Sequence, residues 1–520
     1  MIDLSGLCKI YAKMGFGIIS QKIVKINENA LTRKVEGAIM PSLNREPKKV
    51  LGFFEKISRI PRGSGNEKAI SDYLVKFGEK RGLVVKQDES WNVLIYKPGC
   101  FGLENQPPLV LQSHMDMVCE KNADTEFNFL TDPISLEVDG DFLYAKGTTL
   151  GADNGVGVAL SMAILDSDDI PHPPLEVLFT VEEEITMKGI ANIDASLFSG
   201  RRMINMDSGS DSAFCVGCAG GGRFYFKVPT TKEPMPPNMT HKTITVRGLL
   251  GGHSGIEIHL GKANSNRLLA RVLDALFELD IRIITMTGGL KANAIPREAE
   301  AEIAIPTAKI ADAEQIIANL QKDMRTEYRA PDPNIKLTLL ASTNTATEVF
   351  TKDCTKKLIS AIMLLPLGVL HMSQDISGLV EVSNNIGVVQ TTENAVSIDC
   401  ALRSSVPSRY VFASKQIMAL GAALGADVKF IHAYPGWVYN PESQLLATAT
   451  EIYREIYKKT PQIEAVHAGL ECGFMMEKIP DMDIISYCCQ IVDAHTPNEH
   501  LSIPSLERVW KFTIALLKML

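Results

Sequence analysis

Residues 108–118 read PLVLQSHMDMV: a short apolar run, Leu109 to Leu111, that ends within five positions on a histidine and an aspartate, His114 and Asp116. An uninterrupted apolar run of strand length is the pattern of a strand buried on both faces. Two further stretches repeat it, LEVLFTVEE at 175–183 and RRMINMDS at 201–208, and each also ends on ionisable residues. Between the first two, GADNGVGVALSMAILDS at 151–167 reads as a helix with Asp153 in its first turn. Strands alternating with helical periods from Val50 onward predict an α/β core. In open α/β sheets ligands bind beyond the carboxyl ends of the strands, which is where these acids and the histidine fall.

Composition narrows the function classes. The chain has 520 residues, 45% hydrophobic and 22% charged, enough for two or three domains with proper cores. Its net charge of -8 provides no basic footprint for a phosphate backbone, so nucleic acid is not expected as a partner. The apolar run LISAIMLLPLGVL at 358–370 is shorter than the roughly 20 residues of a membrane crossing and is broken by Pro366, so no membrane partner is expected either. Ten cysteines lie without a disulfide-framework spacing and no clean secretory signal precedes them, which points to a reducing, cytoplasmic compartment. Within residues 1–45, Lys9, Lys13, Lys22, Lys25, Arg33, Lys34 and Arg45 face only Asp3, Glu28 and Glu36, a balance shared by a transit peptide, a flexible extension or a start at Met40.

After CAGGG at 218–222 the proline-rich VPTTKEPMPPNMT at 228–240 reads as a boundary. Beyond it the periodicities predict strand 242–248, helix 263–279, strands near 281–286 and 298–305, helix 308–326 and strand 334–341. A second set follows, with a helix, strands around 386–391 and 396–403, helix 410–424 and strand 427–433, as if two α/β halves stood in tandem. The chain then returns to the first domain with helix 443–458, strand DMDIISYCC and closing helix 505–519. The expected division is an N-terminal extension 1–45, a catalytic domain from 46–220 and 431–520, and a lid 221–430.

Each ionisable residue alone has an ordinary structural role. A histidine at a strand end is commonly a satisfied core residue, Asp153 a helix cap, Glu182, Glu183 and Glu184 a solvated edge, Asp207 a turn residue, His495 and His500 exposed loop histidines. The glycines of GTTLGADNGVG at 147–157 lack the Gly-Lys-Ser/Thr of a phosphate loop, and no HExxH occurs. Cys215 and Cys218 have no second pair at finger spacing and read as a loop. Together, two histidines and several carboxylates at strand ends form the mixed nitrogen and oxygen set of a two-metal hydrolytic site, with zinc favoured by imidazole.

The segments HMDMV, GTTLGADNGVG, the Glu-Glu pair, NMDS, GLLGGHSGIEIH, NAIPREA, AYPGW and HAGLECG, in this order, resemble the co-catalytic zinc peptidases of the aminoacylase and carboxypeptidase superfamily. More narrowly they resemble its aminoacyl-histidine, carnosinase-like dipeptidase branch, from about residue 46 onward. The resemblance implies an α/β/α catalytic domain with an inserted α+β lid, two Zn2+ per subunit that Mn2+ or Co2+ can replace, a dipeptide substrate of the Xaa-His kind, and a homodimer. It implies that Asp153 bridges the metals, His114 and Asp207 completing one position, Glu184 and His495 the other. Asp116 then orients His114, Glu183 is the general base that activates the metal-bridging water, and His253 holds the oxyanion. Asn293, Arg403 and Gly469 match substrate-holding positions, the arginine suiting a terminal carboxylate. The chain departs from the family around SYCCQIVDAHTPNEH and at Ile185 and Thr186, which bears on substrate preference. The rival readings are the same chemistry on an N-acyl amino acid or another short peptide, and a non-catalytic metal-binding scaffold.

Overall fold

The computed structural model describes residue 40 and residues 43–343 and 345–520; apart from Met40 and Arg45, the charged residues and start considered for the N-terminal stretch lie outside the described residues. The chain forms two compact units. The first holds the described residues up to Cys215 with Asn440–Gln462 and Lys478–Leu520; the second holds Val216–Tyr439 and Ile463–Glu477. Residues 463–477 therefore cluster with the second unit, away from the C-terminal segment to which sequence order had joined them. Side-chain pairing explains this: His467 is hydrogen-bonded to Ser383 of that unit.

In the first unit, strands β1 (Val84–Gln87), β2 (Val93–Lys97), β3 (Leu109–His114), β4 (Leu175–Thr180), β5 (Arg202–Asn205), β6 (Ala213–Cys218) and β7 (Asp483–Ser486) stand in the order β1-β2-β4-β3-β5-β7-β6. Strands β4, β3, β5 and β7 are mutually parallel, so their carboxyl ends share one edge. All six residues of β3 and of β4 are buried, as a strand covered on both faces must be. One row of polar side chains runs through this interior. Gln112 on β3 donates to Thr180 and accepts from Asn205, whose Oδ1 accepts from Ser486, so buried amides and hydroxyls satisfy one another.

Helix α1 (Lys48–Ser58) buries Val50, Leu51, Phe54 and Ile57, and every residue of helix α2 (Ala152–Leu165) except Asp153 is buried. Full burial of α2 agrees with its apolar sequence on every face. Its start differs from the expected first helical turn: Gly151 caps it at φ 67° with no side-chain capping bond, and Asp153 and Asn154 are non-helical. The regular helix runs from Gly155, leaving Asp153 displayed before it. The Cys215-Val-Gly-Cys218 segment, expected as a loop, is strand β6; its two cysteines, three apart, point to opposite faces.

The second unit carries a nine-stranded sheet packed on a large apolar core. Its halves share the order strand, helix, two strands, helix, strand, and the ninth strand, Gly368–Met372, pairs beside Val380–Thr391 in the second of them. One is Met239–Arg247, Ser265–Phe277, Arg282–Gly288, Ala299–Pro306, Ile310–Glu327 and Lys336–Ala341. The other is Gly220–Pro229, Lys352–Leu364, Val380–Thr391, Ala395–Ser404, Pro407–Leu424 and Asp427–Tyr434. The expected tandem arrangement is thus corrected to a nested one, because Gly220–Pro229 pairs with Ala395–Ser404 and Asp427–Tyr434 and the first half is inserted after it. The halves join edge to edge where Thr287 and Gly288 pair with Gln390 and Val389. Strand-to-strand pairing across so long an insertion leaves no local pattern in the sequence.

Candidate metal centre

The carboxyl edge of the parallel strands in the first unit gathers seven of the predicted residues. His114 ends β3 and is 1% exposed; Asp116 follows it, fully buried. The Nδ1 of His114 lies 3.2 Å from Asp116 Oδ1, and its Nε2 lies 3.2 Å from Asp153 Oδ1 and 3.4 Å from Asp207 Oδ1. On the other side, His495 Nε2 lies 3.1 Å from Glu184 Oε2 and 3.4 Å from Asp153 Oδ2. Asp153 therefore turns one carboxylate oxygen toward each histidine. Donor atoms of His114, Asp153 and Glu184 all lie within 4.8 Å of one another.

Local backbone produces this convergence. After β4 the chain turns at Glu182, at φ 54°, which breaks the pleat alternation. The Asp116 carboxylate then accepts the backbone N–H groups of Glu183 at 3.1 Å and Glu184 at 3.3 Å, and the Ser64 hydroxyl at 2.8 Å. One carboxylate thus lies beside the His114 ring and fixes the chain bearing both glutamates. Glu182 takes no part in this group: its carboxylate accepts from Thr186. His500 is also elsewhere, stacked on Tyr144 with ring centres 4.9 Å apart.

Three residues supporting the site were not singled out from sequence. Asn154 donates 2.7 Å to Asp207 Oδ1 and also to the Met206 carbonyl. Glu499 receives the N–H groups of Leu150, Gly151, Ala152 and Asp153 at 2.8–3.3 Å, holding the turn that presents Asp153. Arg62, buried, donates to the carbonyls of Met115, Asp116 and Gly151 and straps that turn to the end of β3. Gly151 leaves room for it, since a Cβ there would lie 2.7 Å from Arg62 Nη2. Asn154 and Glu499 lie inside quoted motifs, but neutral or doubly flanked polar residues carry no mark of a supporting role. Arg62 lies outside any of them.

The electrostatics are those of a cation site. Burial together with Asp153 and Glu184 pushes Asp207 up to about 6 against the pull of His114. Burial also pushes Asp153 up, but His114 and His495 outweigh it and hold that carboxyl below its ordinary range. Hydrogen bonds that His495 donates to Asp153 and Glu184 carry it up to about 10. For His114 burial acts downward, and Asp207, Asp116 and Asp153 reverse it to well above the usual value. The acids thus keep protons on both rings, where a metal would replace them.

The donor set fits zinc on geometry as well. Bonds of ~2.0–2.1 Å in a tetrahedral site put neighbouring donors ~3.3 Å apart, and the four histidine-to-carboxylate separations are 3.1–3.4 Å. Glu184 Oε1 is buried with no hydrogen-bond partner among the described residues, an atom a cation would satisfy. If Asp116 orients His114, Asp116→Asn should weaken metal affinity ~10–100-fold in chelator competition. An affinity unchanged from wild type would leave Asp116 only as a brace for the 183–184 turn.

The second unit brings together others of the predicted residues. Gly255 lies between His253 and Arg403: a Cβ on it would be 3.0 Å from His253 Cε1, 3.2 Å from Arg403 Nε and 2.5 Å from the His467 carbonyl. His253 Nδ1 accepts the N–H groups of Gly255 at 3.2 Å and Ile256 at 3.0 Å, so the neutral ring carries its proton on Nε2. Burial and Arg403 both hold His253 below the ordinary histidine range. Asn293 is exposed and accepts the Ser254 N–H through its carbonyl at 2.9 Å; Gly469 is partly buried, two residues beyond His467. His467, not assigned from sequence, is held down to about 3 by burial and by Arg403.

Fold and site define a metallopeptidase class, and the model of peptidase family M20/M25/M40 matches residues 110–519. The chain belongs to this family and is a peptide-bond hydrolase. Among its relatives, the cytosol non-specific dipeptidase of Escherichia coli (strain K12) is 38% identical over 475 residues, covering 91% of this chain and 97% of that one. The crystal structure of aminoacylhistidine dipeptidase from Vibrio alginolyticus is 36% identical with a TM-score of 0.86, covering 94% of this chain and 99% of that chain. The aminopeptidase PepT of Bacillus cereus ATCC 10987, 13% identical with a TM-score of 0.53, covers 91% of this chain and 98% of its own and shares the fold. The family and the mixed α/β, two-domain class expected from sequence are those found. Among the described residues no helix is long and apolar enough to cross a membrane.

Proposed function

We propose that this M20-family hydrolase is a cytoplasmic dipeptidase, active as a homodimer, that uses two zinc ions and prefers Xaa-His dipeptides. The observation that carries the reading is Asp153, with one oxygen 3.2 Å from His114 and the other 3.4 Å from His495. His114 and Asp207 would hold one ion, Glu184 and His495 the other, and Asp153 both. When bound, such a pair polarises the scissile carbonyl and lowers the pKa of water. Asp116 orients His114. Glu183, its backbone fixed by Asp116, takes the proton of the attacking water and passes it to the leaving amine.

His253 donates through Nε2–H to the oxyanion, a role suited to a neutral ring whose Nδ1 is occupied. Arg403 takes the substrate's free carboxylate, with Asn293 and Gly469 beside the chain of the peptide. The first unit is the catalytic domain and the second the lid. The names of the two relatives above one-third identity support dipeptidase activity, and one of them supports the Xaa-His preference. The cytoplasm is supported by the name of the first.

The test is a panel of Xaa-His dipeptides, other dipeptides and N-acetyl amino acids with zinc, manganese or cobalt. Turnover of dipeptides, Xaa-His among the best, is expected. Turnover of acylated amino acids alone would overturn the dipeptidase reading, and full metal occupancy with no hydrolysis would leave a scaffold.

A further inference from the structure

Ser383, Arg403, Gly221 and Tyr434 form one row across four adjacent strands of the second unit, as the partners Ser383 with Arg403, Arg403 with Gly221, and Gly221 with Tyr434. Register partners in antiparallel strands share a face, so the three side chains of this row stand on one side of the sheet. Tyr434 is two strands from Arg403, a span of ~10 Å that a side chain between them would block. Gly221 has none. The tyrosine reaches over it, and its hydroxyl oxygen accepts from Arg403 Nη1 at 2.7 Å. A Cβ at Gly221 would stand 2.7 Å from that oxygen and 2.9 Å from the ring carbon bearing it. The register shifts between Ile431 and Tyr434, an irregularity of the kind that re-aims a strand-end side chain.

Among the described residues Arg403, 8% exposed, makes no ion pair with a carboxylate and has a buried Nε without a hydrogen-bond partner. A buried guanidinium without an acid is costly unless an anion arrives from outside. A carboxylate in the place of Tyr434 would hold the guanidinium still but cancel its charge. A neutral phenol holds it and leaves the charge in place. Burial raises the Tyr434 phenol above its usual value, with Arg403 acting the other way, which keeps it protonated.

We propose that Tyr434 is a positioning residue for substrate recognition: reaching across Gly221, its hydroxyl fixes Arg403 in the orientation that takes the C-terminal carboxylate of the peptide. This rests on the assignment of Arg403 to that carboxylate, so the test includes Arg403 itself. In the metal-loaded, full-length enzyme, Tyr434→Phe should raise KM about 5- to 30-fold for dipeptides with a free carboxylate, change kcat less than about twofold, and shift KM for C-terminal amides less than about twofold. Gly221→Ala, which pushes the ring away, should give the same split. In an Arg403→Ala background Tyr434→Phe should add less than about twofold, since the tyrosine acts through the arginine.

Equal losses on free and amidated substrates in Arg403→Ala would remove the carboxylate assignment. A selective loss in Arg403→Ala with none in Tyr434→Phe would overturn the positioning role alone. Should Gly221→Ala fail to fold, the Tyr434→Phe comparison and the double variant still decide.

Discussion

Glu183→Gln should lower kcat by about 10²–10⁴-fold or more while leaving fold and metal content intact, because the amide keeps the shape and loses only the proton acceptor. The neighbouring Glu184→Gln should fail differently. Glu184 Oε2 lies 3.1 Å from His495 Nε2 and its other oxygen is buried without a partner among the described residues, so its charge is placed for a cation. That variant should lose metal first, and excess zinc should restore part of its activity. Metal content by elemental analysis, with rates measured across a zinc titration, separates the two. The same zinc response in both variants would overturn the division of labour between adjacent glutamates.

Asp153→Asn should cost at least ~10³-fold in activity and deplete both metal positions at once. Among the described residues only Asp153 faces both histidines, and an amide can offer an oxygen to one side while turning N–H donors to the other. His495→Ala should empty chiefly the position it shares with Glu184. Bound metal per chain, measured after dialysis against limiting zinc, should therefore fall further in Asp153→Asn than in His495→Ala. Equal depletion in the two, or wild-type occupancy in Asp153→Asn, would show that Asp153 does not bridge.

The elements that carry these residues were legible because burial on both faces forces continuous apolar runs in β3 and β4, and the ionisable residues stand where those runs stop. Family motifs supplied candidate roles for them. The start of α2 was not legible. Asp153 sits in what reads as a first helical turn, yet the backbone is non-helical there, and the glycines that suggest a phosphate loop make room for Arg62. Likewise Cys215 and Cys218 have loop-like spacing but lie in a strand, because pairing with a distant partner decides strand formation and spacing within the segment does not.

What the sequence determined by itself is therefore the buried strands that end on the ionisable residues, the peptidase family, and the chemical kinds of group available at the strand ends. Tertiary structure alone decided three other things. It set which oxygen faces which histidine around Asp153, it tied the turn before α2 to Glu499 across 346–349 residues, and it placed Tyr434 beside Arg403 over a glycine. Apolar periodicity is local and is written residue by residue along the chain. Hydrogen-bond partners of buried polar groups are chosen only when distant segments meet, because burial then leaves each of them a few donors or acceptors within reach.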